Sequence, residues 1–187
     1  PSWGNQGLIE AGYIQPLLQS LFAKGYAVTL RPHPRTVEFA ASKVDALGKE
    51  FPSLVLDKDI VSDHSILCCD VLISDWSGAA LEYAFARLRP VVFMDIPRKI
   101  NNPDYENITI TPLEVRIRQQ IGVLLTAEHS TDVGQVINDL IKNQTEWEEK
   151  ISQIREQTVF NIGQSAKSAH EEILKIVGQK NEQRKAD

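Results

Sequence analysis

The chain has 187 residues, of which 42% are hydrophobic and 24% are charged, so it can bury a core in one α/β domain or two small ones. Its formal net charge of −5 argues against a general nucleic-acid binder, because such a protein needs a basic surface to displace counterions from phosphates. The apolar runs are far shorter than the ~20 residues that span a bilayer, and no signal peptide is expected. Because the first residue is Pro1 rather than Met, we expect a piece of a longer chain.

The first half of the sequence alternates between helical and extended patterns. Apolar residues recur at a spacing near 3.6 in the first predicted helix, and Gly25 follows its end. The next strand stops at Arg31-Pro32-His33-Pro34, where two prolines prevent further pairing. Thr36 is the expected N-cap of the second helix. The predicted helices are 7–24, 36–50 and a short turn within 63–69, and the predicted strands are 26–30, 54–56 and a buried strand at 71–73.

The second half continues the alternation and then becomes helical. A polar, irregular loop is expected between Asp95 and Thr109. The predicted strands are 91–94 and 122–125, and the predicted helices are 79–86, 130–143, 145–157 and 163–177. We therefore expect one domain over residues 1–178 and a charged, flexible tail over residues 179–187.

Short, continuous apolar strands separated by helices are typical of a parallel sheet that is covered on both faces. The expected fold class is therefore α/β, with a Rossmann-like, doubly wound parallel sheet. Ligands of such folds bind beyond the carboxyl ends of the strands. Arg31-Pro32-His33-Pro34, Ser74–Gly78 and Asp95 each follow a predicted strand, so they are expected to meet at one edge of the sheet.

Ser74-Asp75-Trp76-Ser77-Gly78 joins a predicted strand to a predicted helix. The first turn of a helix has N–H groups without partners and a partial positive charge, and both favour phosphate. Ser77 and Gly78 are small enough to let an anion approach the backbone. Glu82 lies one turn later, where a carboxylate could bind the hydroxyls of a ribose. The alternatives are that Ser77 only caps the helix and that Glu82 is a solvated side chain.

His33 is held between two prolines, which fixes its direction. As a cation it could pair with phosphate, and as a neutral base it could move a proton. Arg31 lies two residues before His33 in an extended chain, so its side chain points to the same side as that of His33. The alternative for His33 is a structural histidine at the start of a loop. Cys68 and Cys69 are expected to be reduced core residues, and neither a metal nor a cofactor is expected.

These segments occur in an order that resembles the carboxy-terminal domain of the CDP-glycerol glycerophosphotransferase family, the teichoic-acid primases and polymerases. The likeness covers residue 1 to about residue 175. It includes Pro1-Ser2-Trp3-Gly4 and a late Asn161-Ile162-Gly163-Gln164-Ser165 segment. The resemblance implies the donor-binding, carboxy-terminal half of a GT-B fold. The family transfers glycerol phosphate from CDP-glycerol to a lipid-linked polymer in teichoic-acid, cell-wall or capsule biogenesis.

Carried over by position, the resemblance implies one catalytic residue, His33, which contacts the donor diphosphate. The implied donor-binding residues are Ser2, Trp3, Arg31, His33, Ser74, Asp75, Ser77, Gly78 and Glu82. The acceptor is reached through an amino-terminal domain that also supplies the base, so we expect the chain alone to be inactive. The full-length protein is expected in the cytoplasm, peripheral on the inner face of the membrane, with a homodimer of this piece as a further expectation.

The sequence departs from the family where Trp76, Gly78 and Gly4 stand, since tyrosine, serine and arginine are frequent at those positions. The missing arginine leaves the donor open between CDP-glycerol, CDP-ribitol and a nucleotide sugar. Two alternative functions follow. One is a GT-B glycosyltransferase domain that uses a nucleotide sugar, and the other is a non-catalytic nucleotide-binding scaffold.

Overall fold

The computed structural model describes residue 1 and residues 3–98, 100 and 102–186, with side chains as far as Gly178. The chain divides into two units, Pro1–Ser152 and Gln153–Asp187. The first unit holds all the strands among these residues. The strands are β1 (Thr29–Leu30), β2 (Val55–Leu56), β3 (Leu72–Ser74), β4 (Val91–Asp95) and β5 (Gly122–Thr126).

All five predicted strands are confirmed, and every pair is parallel, but they form two sheets rather than one. β1 pairs with β2, and β4 lies between β3 and β5. Within the described residues, no hydrogen-bonded ladder joins β1 to β3. The coarser expectation of an α/β fold with parallel strands is therefore confirmed, and the described strands form one two-stranded and one three-stranded sheet.

Helices separate these strands. In chain order they are α1 (Ile14–Ala23), α2 (Pro34–Phe39), α3 (Ala41–Glu50), α4 (His64–Cys68), α5 (Ala79–Arg87), α6 (Leu113–Ile117), α7 (Val133–Lys142), α8 (Gln144–Thr158) and α9 (Ser165–Ala186). Short 3-10 turns cover Tyr105–Asn107, Arg118–Gln120 and Ala127–Asp132. The helix expected over 130–143 is thus a 3-10 turn followed by α7.

The first helix begins at Ile14 rather than near residue 7, because Gly12 has a φ of 80° and interrupts the helical path. Leu8 and Ile9 still supply buried side chains from the turns before it. The predicted second helix is two helices, broken at Ala40 (φ −134°, ψ 32°). Its N-cap is His33 and not Thr36, which lies buried inside α2.

The core explains why these segments fold together. One apolar cluster joins Val92 and Met94 of β4 to α1 and α7, and a second joins Leu30 of β1 to α1 and α3. Successive strand residues point to opposite faces, and Phe93 meets Arg118 on the other side of β4. The three-stranded sheet is therefore covered on both faces, as its continuous apolar strands predict.

β3 is less buried than its apolar sequence predicts. The side chains of β4 from Val91 to Met94 are at most 2% exposed, whereas Val71, Leu72 and Ile73 are only half-buried. Cys68 is exposed and Cys69 half-buried, so the expectation that both are core residues is also wrong. The incomplete burial of residues 71–73 follows from the open edge of β3, because no described strand covers that edge on the side away from β4.

The second unit is helical. It contains the end of α8 and the whole of α9, which continues to Ala186. The expected domain boundary at residue 178 therefore falls inside a helix. None of the helices within the described ranges combines the length and the apolar character needed to cross a bilayer.

Candidate functional site

The carboxyl ends of β1 and β3 line one end of a cavity of about 1090 Å³. Its polar lining residues include Arg31, His33, Ser74 and Ser77, and also Asp57, Asp59, Ser62 and Ser65 around Arg31; Pro1 lines the cavity as well. Two of the three segments that the strand-end argument links, the one after β1 and the one after β3, therefore line the same cavity, whereas Asp95 after β4 does not line it. Trp3, Asp75, Gly78 and Glu82 are described but are not lining residues, and Ser2 lies outside the described residues.

The segment from Ser74 to Gly78 turns directly from β3 into α5. Ser74 and Asp75 are 3% and 1% exposed, Ser77 is half-buried, and Gly78 is exposed. Gly78 is the N-cap of α5 and makes no side-chain cap hydrogen bond. A Cβ built on Gly78 would meet no atom within 4 Å, so the backbone is open to an approaching group. Glu82 is exposed in the first turn of the same helix.

Trp76 anchors this turn to the rest of the unit. Its indole Nε1 donates to the carbonyl of Ile96 at 2.9 Å, and the Arg118 guanidinium lies 3.7 Å from the indole ring centroid. Arg118 is 4% exposed and pairs with Asp95, whose Oδ1 lies 3.5 Å from its Nη1. Burial lowers the pKa of Arg118, while the charges of Asp95 and Asp75 raise it. By stacking on Trp76, Arg118 therefore helps to hold the turn from Ser74 to Gly78 in place.

His33 has a structural role in addition to any chemistry. Its Nδ1 accepts a hydrogen bond from the backbone N–H of Arg35 at 3.1 Å and so caps α2. A nitrogen that accepts this bond carries no proton, which assigns the proton of the neutral ring to Nε2. Nε2 is then the nitrogen that could donate to a phosphate oxygen. The ring centroids of His33 and Trp3 are 6.3 Å apart, and the Arg35 guanidinium lies 4.8 Å from the Trp3 ring centroid.

Arg31 forms an ion pair with the carboxylate of Asp57. Its Nη1 lies 2.9 Å from Asp57 Oδ2 and donates to the carbonyl of Ser62 at 2.5 Å. The Ser65 hydroxyl also donates to Asp57. Hydrogen bonds from Ser65 and from the backbone N–H of Asp59, together with Arg31, hold the pKa of Asp57 below its usual range. The charge of Arg31 is therefore largely balanced before any ligand arrives.

Glu10 connects the amino-terminal turn to α2. Its Oε1 accepts from the Thr36 hydroxyl at 2.6 Å and from the Gly4 N–H at 3.3 Å. Thr36 is 1% exposed, so this contact is shielded from water. The bond holds the turn that carries Trp3 next to the segment that carries His33.

Sequence reasoning missed three residues of this region. Arg35 directly follows Pro34 and could have been included as the next cation of that segment. Glu10 and Arg118 gave no local signal, since each meets a partner more than twenty residues away.

Among the residues that the structure describes, no group of three or more His, Cys, Asp or Glu side chains is arranged to hold a metal ion. Compared with profiles of protein families, with curated proteins and with solved structures, the chain shows no significant match to any of them.

Proposed function

We propose that the first unit is the donor-nucleotide-binding part of a transferase that moves glycerol phosphate from CDP-glycerol to a polyol-phosphate polymer of the teichoic-acid or capsule type. In this proposal the unit is the Rossmann-like, carboxy-terminal half of a GT-B enzyme. One observation carries it. Residues that follow β1 and β3 line one cavity, which supports a nucleotide site beyond the carboxyl ends of these parallel strands.

The proposal assigns a task to each group. The backbone at Ser77 and Gly78, at the start of α5, faces the diphosphate, and Nε2 of His33 donates to one of its oxygens. Arg35 adds positive charge beside His33 through its position on Trp3. Glu82, exposed in the first turn of α5, accepts from the ribose hydroxyls. Arg31, which is paired with Asp57, acts by holding the loop rather than by neutralising the donor.

The reaction itself is a displacement at phosphorus. An acceptor hydroxyl attacks the glycerol-side phosphorus of CDP-glycerol, the bond to the bridging oxygen breaks, and CMP leaves. The hydroxyl proton goes to a base on another domain, so this chain supplies positioning and charge stabilisation only. We therefore expect no turnover by the chain alone. The acceptor is a lipid-linked polymer, and the full-length enzyme would work at the inner face of the membrane.

Isothermal titration of the 187-residue chain with CDP, UDP and GDP tests the donor. We expect CDP to bind most tightly, with CMP weaker because it lacks the second phosphate. A preference for UDP would instead favour a nucleotide-sugar-dependent glycosyltransferase. Equal binding of all three nucleotides, or none, would reject the CDP assignment, and equal binding would favour a general nucleotide-binding scaffold.

Two substitutions test the site without damaging the fold. Gly78→Ala places a methyl group in open space at a helical φ of −58°, so the free energy of unfolding should change by less than about 0.5 kcal/mol. If an anion rests on this backbone, CDP affinity should fall by about tenfold, which is one charge-assisted hydrogen bond. Glu82→Gln should also weaken CDP. The matched control is Glu114→Gln, since Glu114 is likewise an exposed carboxylate in the first turn of a helix.

A further inference from the structure

The apolar part of the cavity lies between the two sheets. It runs along residues 26–30 on one side and residues 70–73 on the other, and side chains of α1, α4 and α7 cover it, among them Leu17, Leu21, Ile66, Ile137 and Ile141. We call this part the slot. Small-molecule sites occupy roughly 300–1,000 Å³ and converge on a few polar groups. The whole cavity measures about 1090 Å³, and strand residues run along both sides of the slot. The slot therefore differs in form from a typical small-molecule site.

The backbone of β1 has unpaired groups that face the slot. The N–H groups of Val55 and Asp57 in and after β2 donate to the carbonyls of Val28 and Leu30, at 3.1 and 2.9 Å. Peptide groups alternate in direction along a parallel strand, so those of Thr29 point away from β2. No described strand pairs with β1 on that side. β3 likewise lacks a described neighbour on the side away from β4.

β1 and β3 run in the same direction across the slot. Arg31, at the carboxyl end of β1, contacts Ser62 and Ser65 at the start of α4. α4 then carries the chain back to the beginning of β3. The start of α4 lies at the carboxyl end of β1, so β3 must begin at the opposite edge and proceed parallel to β1. A single strand parallel to both would satisfy both open edges.

We propose that the slot binds an extended apolar peptide strand, parallel to β1 and β3, which unites the two sheets in the order β2-β1-strand-β3-β4-β5. The geometry also points to its connection. Pro1 lines the cavity, and a strand joined to α1 through Pro1 would reach β1 by the right-handed crossover that parallel sheets require. The occupant should be uncharged and should be apolar where it meets the side chains of α1 and α7 that line the slot.

This inference concerns the fold and does not depend on which nucleotide binds. It also leaves the polar end of the cavity open, because a strand in the slot would end where Ser74 ends β3. It accounts for the incomplete burial of β3, which becomes one of the two central strands of the united sheet. Failure of the nucleotide experiments and failure of the strand experiment would therefore be separate results.

The test is to extend the 187-residue chain at Pro1 by a designed segment whose last five residues are valine and isoleucine. We expect the unfolding midpoint to rise by about 5 °C or more. We also expect hydrogen exchange at the Thr29 amide to slow by about tenfold or more. The control extension has the same length, with aspartate at every second position, and should change neither value.

Thr29→Pro provides a second measurement, because it removes an N–H that faces the slot and not the one that pairs with β2. The extension should therefore raise the midpoint less in the Thr29→Pro background than in the wild-type background. The proposal is overturned if the apolar extension protects only the outer edges of β2 or β5, if it acts only by forming dimers in light scattering, or if it leaves Thr29 exchange unchanged.

Discussion

Replacing Arg118 by methionine should destabilise the first unit, although burial of the guanidinium is itself unfavourable. The side chain is 5% exposed and lies 3.7 Å from the Trp76 ring centroid and 4.9 Å from that of Phe93. Methionine keeps most of the apolar volume but removes the positive charge. The substitution therefore isolates the electrostatic contribution of Arg118 from its packing.

The magnitude follows from what Arg118 leaves behind. Asp95 is 43% exposed, so its ion pair is worth at most about 1 kcal/mol, because water can replace the partner. The cation–π contact with Trp76 is worth about 2 kcal/mol in a desolvated position. Asp75 is 1% exposed and loses the charge of Arg118, which adds a further cost. We take this cost at Asp75 to be offset by the desolvation penalty that is removed together with Arg118, which leaves a net loss of about 3 kcal/mol.

Urea unfolding at neutral pH measures this loss, and a thermal scan should show a midpoint lower by about 9 °C. Arg116→Met is the matched control, because Arg116 is exposed on the preceding helix and should change stability by less than about 0.5 kcal/mol. Adding Asp75→Asn to Arg118→Met should recover part of the loss, since it removes the buried charge. An Arg118→Met protein as stable as the wild type, or a double variant that recovers nothing, would refute this reasoning.

Three further substitutions have defined outcomes. Asp57→Asn should lower stability at pH 6 and flatten its decline in acid: the lowered pKa of Asp57, due first to Ser65, means that the wild-type contribution is present above about pH 4 and is lost as the pH falls below it. Thr36→Val should cost about 2 kcal/mol, because it removes a buried hydrogen bond to the Glu10 carboxylate. Tyr83→Phe should cost about 1 kcal/mol, since the buried hydroxyl donates at 3.0 Å to the carbonyl of residue 70.

Each of these changes has a matched control with an exposed side chain. Asp45→Asn removes a carboxylate that is 55% exposed and should leave the acid decline unchanged. Thr131→Val and Tyr105→Phe alter exposed hydroxyl groups and should change the urea midpoint little. Equal losses in a variant and its control would mean that the named contact is not the cause.

Local patterns in the sequence predicted the elements well, because each depends on neighbouring residues. The five strands follow from short apolar runs, and the stop after β1 follows from Pro32 and Pro34. The start of α1 was misplaced, since apolar spacing continues through Gly12 while the backbone does not. His33 was recognised as directionally fixed, but its capping of α2 depends on a hydrogen bond that the sequence pattern does not specify.

Contacts between distant segments were beyond such patterns. Nothing near Arg31 indicates that Asp57 will balance its charge, and nothing near Trp76 indicates that Arg118 will stack on it. The pairing of strands is equally non-local, so an apolar run such as 71–73 predicts a strand but not whether both of its edges are occupied. Position along the chain therefore predicted two segments that line the cavity, and the residues that hold these segments in place were not predicted.

The division into two sheets also bears on how this unit folds and opens. In the part of the chain that the structure describes, every pairing joins strands that are consecutive in the sequence, so each sheet can form from its own stretch of chain. The pairing of β1 with β2 spans only two residue pairs, and that of β4 with β5 spans five. The smaller sheet should therefore open more readily, as a separate cooperative step. A strand between them would couple the two openings into one transition.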